Sequence, residues 1–325
     1  MQIKTIDLFA GIGGIRIGIE KAAKQKKFDY QNVFTSEIDK HCIETYKQNF
    51  NNENIFGDIS KISNAQIKEL IPNHNMLLAG FPCQPFSQAG LRGGFEDTRG
   101  TLFFDILRIL KIKQPTAFLL ENVKNLKGHD NGKTLQVILS SLRQMYYVPE
   151  PEILNARDFG VPQNRKRIFI VGFLKPKFTN FKYPRPKEIN NSVGDILEKD
   201  KNITKNFIIS DRLWDGHKRR KIDNKAKGKG FGYSLFHDDS PYTNTISARY
   251  YKDGSEALIS TGNNSNPRKL TPRECANLQG FPKSFKLNSS KNNCYRQFGN
   301  SVAVPVIKAL GLKMIGFIDK NYNNI

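Results

Sequence analysis

Cysteine is scarce in this chain of 325 residues: four in all, Cys42, Cys83, Cys275 and Cys294, widely separated and never in a C-x-x-C pair. That scarcity excludes a disulfide framework and a zinc site of the usual ligand spacing. No metal is therefore expected, and each cysteine reads as core filler or as a reactive thiol. Acidic residues fall short as well, 30 against 51 Lys and Arg, which leaves a formal charge of +21. An excess of that size points to a polyanionic partner, nucleic acid or a membrane surface. No uncharged apolar run approaches membrane-spanning length, so an integral membrane protein is excluded. The opening Met1-Gln2-Ile3-Lys4 runs straight into a strand-like segment and leaves no room for a signal peptide. With free thiols, that fits a reducing cytoplasm. Internal repeats and low-complexity tracts are also lacking. A content of 38% hydrophobic and 11% aromatic residues excludes a disordered chain.

What the first half does contain is alternation. Residues 3–9 form a short strand-like run, ended by Ala10-Gly11-Ile12-Gly13-Gly14, after which Ile15, Ile19 and Ala22 recur at helical spacing. Further strands are expected at 32–35, 76–79, 117–120 and 168–173, and helices at 40–50, 102–112 and 135–145. Alternation over short connections implies an α/β fold, a mostly parallel sheet with helices on both faces. Past Leu174 the texture changes. Pro176, Pro184 and Pro186 interrupt the pattern, and Asn/Lys-rich stretches run to about Pro267, as expected of a second, less regular domain. Within it, residues 218–229 hold seven basic residues against one acidic, which we read as a nucleic-acid face in preference to a merely solvated surface. Apolar order returns over 302–318, a helix expected to pack back on the first domain.

Several strand ends carry residue types that chemistry needs. The segment Asp7-Leu8-Phe9-Ala10-Gly11-Ile12-Gly13-Gly14 closes a strand and opens a helix, where glycines let a ligand approach the backbone. Glu37 follows 23 residues after Gly14, at the end of the next strand, where an acid can bind ribose hydroxyls. Arg16 occupies the region of the third glycine of a dinucleotide fingerprint, which disfavours a pyrophosphate. A nucleoside cofactor and a plain tight turn remain the alternatives. Gly80-Phe81-Pro82-Cys83-Gln84-Pro85-Phe86-Ser87 follows another strand. Its prolines, and Gly90-Leu91-Arg92-Gly93-Gly94 beyond, argue against a core position for Cys83 and for an exposed nucleophile ahead of a closing loop. Glu121 ends a further strand, either as a surface acid or cap, or facing Cys83, where burial would raise its pKa and let it hold a proton. Gln163-Asn164-Arg165-Lys166-Arg167 leads into the strand at 168–173. Alternation predicts Arg165 and Arg167 on one side and Lys166 on the other, a pair able to hold carboxylates or phosphate.

In order along nearly the whole chain, these pieces resemble the cytosine-5 DNA methyltransferases, with the length and layout of the bacterial single-chain type. The resemblance rests on the two glycine-containing segments above, Glu121-Asn122-Val123, Gln163-Asn164-Arg165-Lys166-Arg167, residues 268–282 (RKLTPRECANLQGFP) and Gln297-Phe298-Gly299-Asn300-Ser301-Val302. It implies a Rossmann-like S-adenosylmethionine-dependent methyltransferase sheet with helices on both faces, plus a smaller irregular target-recognition domain. The catalytic and cofactor-binding domain is expected at 1–184, completed by 296–325, with the target-recognition domain and hinge at 185–295. By the same resemblance Cys83 is the nucleophile, Glu121 engages cytosine N3, and Arg167, with Arg165 nearby, holds the base and supports Glu121. Phe9, Gly11, Gly13, Glu37, Asp58, Ile59, Pro82, Leu102, Asn300 and Ser301 are expected to line the S-adenosylmethionine pocket, and Ile38 stands where some relatives place a tryptophan. Contacts to double-stranded DNA are expected from Gln84, Ser87, Thr245, Arg249, Lys218, Arg219, Arg220 and Lys221, with Tyr250, Tyr251 and Lys252 as further candidates. S-adenosylhomocysteine would be the product. A monomer is expected, with a restriction endonuclease acting on the same site as its functional partner and no membrane partner.

The implied chemistry explains why these residue types occur together. Cytosine C5 is too weakly nucleophilic to take a methyl group directly, and thiolate addition at C6 makes it an enamine carbon. A proton or hydrogen bond at N3 stabilises the charge that develops. Because C6 lies inside the base stack, the nucleotide must flip out, at a cost of roughly a few kcal/mol. The nearest rival is the same chemistry on tRNA; the large variable region and short layout favour DNA. An inactive DNA-binding paralogue is disfavoured by the presence of Cys83, Glu121 and Arg167 together. A nicotinamide-dependent dehydrogenase would leave the Pro-Cys segment and the basic domain unexplained.

Overall fold

The computed structural model describes residues 2–51, 53–82, 102–175, 178–186, 190–200, 204–230, 232–262 and 265–322. The chain divides into two compact units, one made of Met1–Leu154, Lys166–Arg185 and Val306–Ile325, the other of Asn155–Arg165 and Pro186–Pro305.

The first unit is built on a seven-stranded sheet. Its strands are β1 (Gln2–Leu8), β2 (Asp29–Ser36), β3 (Met76–Gly80), β4 (Ala117–Val123), β5 (Tyr146–Tyr147), β6 (Glu152–Asn155) and, after the short β7 (Gln163–Asn164) of the other unit, β8 (Lys166–Leu174). The order is β2-β1-β3-β4-β8-β5, with β6 also paired to β8. Neighbours from β2 to β4 run parallel, whereas β8 is antiparallel to both β4 and β5. The expected parallel sheet is therefore its first four strands only. A parallel neighbour needs a long crossover, and the segments joining β5, β6 and β8 hold no helix long enough to make one.

β3 and β4 are buried along almost their whole length, as in strands covered on both faces. Ile6, Leu8, Leu77, Ala79, Phe118, Leu120, Ile168 and Ile170 share one core with Phe103, Ile106 and Leu110 of the helix Leu102–Lys113 and Ile138 and Leu142 of the helix Lys133–Arg143. A separate pair of helices, α1 (Gly14–Gln25) and the C-terminal helix Val304–Tyr322, packs closely at glycines. A Cβ on Gly18 would fall 2.4 Å from Ile307 Cβ, and one on Gly311 2.8 Å from Ala22 Cβ. Phe317 of the C-terminal helix meets Phe173 edge-on at 4.8 Å. By length and composition Lys291–Asn321 could cross a membrane, yet 56% of its apolar window is buried within the protein, as in a core helix. The two lysines inside that apolar stretch, Lys308 and Lys313, keep it from reading as an uncharged run.

The second unit has little regular sheet. Its strands β7, β9 (Leu235–Phe236), β10 (Thr243–Asn244) and β11 (Leu258–Ile259) are two residues each and form two parallel pairs, β7 with β10 and β9 with β11. Its longest helix is Asp211–Ala226, entered through Ser210, whose hydroxyl accepts from the Leu213 amide. Periodicity does not reveal this helix because it has no apolar stripe; its only buried residue is His217. The domain limits expected from the sequence differ from the observed division at residues 155–165 and 296–305. Both segments are bound into the second unit by buried side chains, described next.

Candidate active site

The chain leaves β1 through Phe9, Gly11 and Gly13, at φ 53°, 55° and 81°, all in the left-handed region. At Gly13 the requirement is also steric, since a Cβ would lie 2.5 Å from the Phe50 ring. Around Gly11 the space is open, and its amide donates to Glu37 Oε2 at 2.7 Å. Glu37, the residue after β2, also accepts from the Ile38 and Asp39 amides at 2.7 and 2.9 Å. A third loop closes in: the Glu37 amide donates to Phe56 O at 3.0 Å, and the Ser36 hydroxyl to Gly57 O at 2.7 Å. Asp58 then caps the turn Ile59–Lys61 through Ser60, whose hydrogen bonds hold the Asp58 carboxyl below its usual range. Ile59 is buried, whereas Ile38 is 72% exposed. These loops meet at the carboxyl ends of parallel strands, where open α/β sheets bind ligands.

A buried polar network lies beneath this turn, and no sequence motif marks it. The Tyr46 hydroxyl points at the buried Asp7 carboxylate at 3.5 Å. Arg16 donates to Tyr46 Oη at 3.0 Å, pairs with Glu53 and covers the Phe50 ring at 4.1 Å. Burial raises the Asp7 carboxyl well above its usual range, although Arg16 opposes the shift. Arg16, the residue that spoils the glycine fingerprint, thus supports the ring on which Gly13 rests. No spacing rule in the sequence links residues 7, 16, 46 and 50.

β3 and β4 end side by side. Gly80 is opposite Glu121 in the ladder, and a Cβ on Gly80 would lie 3.4 Å from Glu121 Oε2. Arg167, opposite Val123 across the antiparallel pair, places Nε 3.1 Å from Glu121 Oε1. Burial lowers the Arg167 pKa, and the Glu121 charge works against that shift. Asn122 donates to Phe81 O at 2.9 Å and so ties the end of β4 to the Phe81-Pro82 segment that leads to Cys83. Phe81 is buried, Pro82 exposed and Leu102 half-buried at the start of its helix. Cys83, Gln84 and Ser87 lie outside the described residues. Among the described cysteines, Cys42 is half-buried and Cys275 and Cys294 are buried. Burial pushes all three thiols up, Cys294 to about 11, so none is a thiolate near neutral pH.

In the second unit, Arg165 is buried and donates to the carbonyls of Ile246 at 3.0 Å, Gly299 at 2.9 Å and Ser301. Gln163 donates to Leu278 O and accepts from the Ile246 amide, both at 3.2 Å. Thr245 donates its hydroxyl to Asn164 O at 2.7 Å. Gly299 is required where it is, because a Cβ would lie 2.3 Å from the Ser247 carbonyl. Two of the motifs quoted above, 163–167 and 297–302, therefore hold the segment that carries Thr245. Beyond it, the Arg249 amide donates to Ser247 Oγ at 3.1 Å, and that hydroxyl donates to Glu256 at 2.6 Å. The Arg249 side chain is exposed, as is Asn300; Ser301 is half-buried.

Two sequence expectations need correction. Alternation predicts Arg165 and Arg167 on one side of the strand, and Arg167 pairs with Glu121. β8 begins at Lys166, so strand alternation does not extend to Arg165, whose guanidinium is engaged by backbone carbonyls. Tyr250 is no surface contact: it is fully buried, donating to Ala257 O at 2.6 Å and accepting from the Leu270 amide at 2.8 Å. The basic run is on the helix Asp211–Ala226, where Lys218 pairs with Asp215 at 2.6 Å and Arg220 with Asp253 at 3.0 Å.

Comparison with known proteins gives the family of the chain. The family described as C-5 cytosine-specific DNA methylase matches residues 3–316. The chain is 58% identical to the Type II methyltransferase M.NlaX of Neisseria lactamica over 313 residues, 96% of either chain. It is 55% identical to the Type II methyltransferase M1.ScrFI of Lactococcus lactis subsp. cremoris, over 98% of this chain and 80% of that one. The solved structure of the Entamoeba histolytica methyltransferase EhMeth matches with a TM-score of 0.76 at 22% identity, over 98% of this chain and 99% of that one, a likeness of fold. Enzymes of the matched family take their methyl group from S-adenosylmethionine. The chain belongs to the C-5 cytosine-specific DNA methylase family and is a type II DNA (cytosine-5-)-methyltransferase.

Proposed function

We propose that the first unit binds S-adenosylmethionine and the reacting cytosine at the carboxyl ends of β1 to β4, while the second unit contacts double-stranded DNA. The observation that carries the reading is the Glu121–Arg167 pair at 3.1 Å, one strand away from the Gly80-Phe81-Pro82 segment that runs into Cys83. The cofactor residues assigned in this unit are Phe9, Gly11, Gly13, Glu37, Ile38, Asp58, Ile59, Pro82 and Leu102. Their fit rests on the open space at Gly11, the anchored Glu37 carboxylate beside it and the exposed apolar Ile38, a polar rim for ribose hydroxyls next to an apolar face for a base. When bound, the cofactor supplies an electrophilic sulfonium methyl group.

The protein's part is to make cytosine C5 a nucleophile. The Cys83 thiolate bonds to C6 of a flipped cytosine, and the electron pair of the 5,6 double bond is released toward C5 and N3. Glu121 hydrogen-bonds at N3 and stabilises the charge that develops there, with Arg167 holding its carboxyl group in place. After methyl transfer, a base removes the C5 proton, the C6–S bond breaks, and Cys83 is restored. Elimination among the cysteines supports this role: the described ones are all held as thiols by burial. Thr245 and Arg249 are assigned to the target, alongside Gln84 and Ser87. The cellular role we assign is protection of cytoplasmic DNA from a restriction endonuclease that cuts the same site.

The test is a duplex carrying 5-fluorocytosine at the target, which should trap the enzyme covalently because fluorine cannot leave as a proton does. Cys83→Ala should bind DNA but neither trap nor methylate, and turnover by it would overturn the assignment. Glu121→Gln should lose about 10²–10⁴-fold in rate with little change in cofactor affinity. Unchanged turnover with weakened cofactor binding would move Glu121 into the cofactor pocket. Bisulfite sequencing of DNA from expressing cells identifies the target.

A further inference from the structure

We propose that the helix Asp211–Ala226 lies along the phosphate backbone of the DNA duplex by its outward face alone, with Arg212 and Arg219 as the contacts, while Arg220 and Lys221 of the same basic run hold the helix to its own unit. This rests on the reading of the second unit as the DNA-contacting one. In sequence Lys218, Arg219, Arg220 and Lys221 look equivalent. A helix separates them, at 3.6 residues per turn.

His217 marks the inward face. It is the helix's buried residue, and its Nε2 is 3.2 Å from Asp253 O. The residues three before and three and four after it look the same way. Trp214 meets the Tyr233 ring edge-on at 4.6 Å, and Arg220 pairs with Asp253 at 3.0 Å. Lys221 places Nζ 4.3 Å over the Tyr233 ring, with its stem so near Gly232 that a Cβ there would be 2.9 Å from Lys221 Cγ. Those two cations are thus committed to an acid and an aromatic ring of the same unit.

The outward face is different. Ile222, 69% exposed, shows that it is open. Arg212 and Arg219 share that face; they are exposed, as Arg220 and Lys221 also are, but unlike Arg220 they have no ion pair among the described residues. Asp215 and Asp223 lie beside them on that face, Asp215 already paired with Lys218 at 2.6 Å. Seven residues of helix separate the two arginines, a rise of about 10 Å. That spans about three phosphates of one strand, at roughly 3.4 Å of helix axis per nucleotide. Two arginines at that spacing on an open face complement a linear polyanion.

The experiment is fluorescence anisotropy with the full chain on target and scrambled duplexes at several salt concentrations. Arg212→Gln with Arg219→Gln should weaken both duplexes alike and reduce the slope of log K against log[salt] by about 0.9 for each phosphate no longer neutralised. Arg220→Gln with Lys221→Gln should leave that slope unchanged and lower the unfolding temperature. If that variant fails to fold, Lys221→Met, which keeps the stem against Gly232, should still show the wild-type slope. A slope reduced as much by the inward substitutions as by the outward ones overturns the division. An unchanged slope in the Arg212/Arg219 variant, with wild type methylating duplex DNA, overturns the helix contact and leaves the methyltransferase reading standing. A wild type that methylates no duplex overturns that reading itself.

Discussion

In the first unit, the backbone of β1, β3 and β4 is satisfied by ladder bonds between strands of five to seven residues. In the second unit the strands are two residues long, and buried side chains take over that task. Arg165 serves the carbonyls of Ile246, Gly299 and Ser301; Gln279 donates to Phe298 O at 2.9 Å and Tyr295 to Leu270 O at 2.6 Å. Arg268 and Glu274 form a buried pair at 2.7 Å, and Glu274 also accepts from the Thr271 and Glu198 amides at 2.8 Å. Buried N–H and C=O groups must find partners in either case. The difference shows that a region poor in secondary structure can be as tightly specified as a sheet, provided large polar side chains are buried in it.

Arg165→Met strikes hardest at this contrast. It keeps much of the volume and removes every donor, leaving carbonyls that cost about 1–3 kcal/mol each when unmatched in the interior. Hydrogen exchange should show the loss concentrated in the second unit, and uniform loosening of both units would contradict it. A smaller effect is expected for Gly172→Ala in the first unit. A Cβ there would lie 2.2 Å from the Phe118 ring, an overpacking that costs about 1–3 kcal/mol. Urea unfolding measures it, and a variant as stable as wild type would mean that this core yields more easily than its packing indicates.

The smallest effect is pH-dependent. Asp7 has a usual carboxyl value of 3.8 that burial raises in the folded state. A raised native value means that the unfolded chain gives up the proton first. The stabilising contribution is therefore complete below about pH 4 and is lost as pH rises through the native value. Asp7→Asn stays neutral throughout, so its stability relative to wild type should climb as pH rises. Parallel stability curves for the two proteins would show that Asp7 does not titrate as its burial requires.

The longer strands of the first unit and most of its helices are legible in the sequence because each has a clear period or an unbroken apolar run, as in Leu77-Leu78-Ala79 and Phe118-Leu119-Leu120, whereas the short helix Asn64–Leu70 and the strands β5 and β6 are too brief to show either. The pairing of Glu121 with Arg167 is implied by the family resemblance, not by spacing. The antiparallel direction of β8 is not legible, since an apolar strand reads the same either way. The helix Asp211–Ala226 is hidden by its lack of an apolar face. Alternation misleads at Arg165 because it holds only within a strand, and the strand starts one residue later. The network of Asp7, Arg16, Tyr46 and Phe50 is invisible because its members are joined in space by bulk and charge, with no shared spacing.

The composition of the second unit also bears on modularity. Because residues 155–165 and 186–305 make up one compact body, and Arg165 holds Gly299 and Ser301, the region we propose for DNA recognition is not a contiguous cassette. Exchanging residues 185–295 with those of a relative, in the hope of transferring sequence preference, would part Gln163 from Leu278 and Arg165 from Ile246. A graft that travels with its own 155–165 and 296–305 carries its anchors along, and is the version from which an active chimera should be recovered.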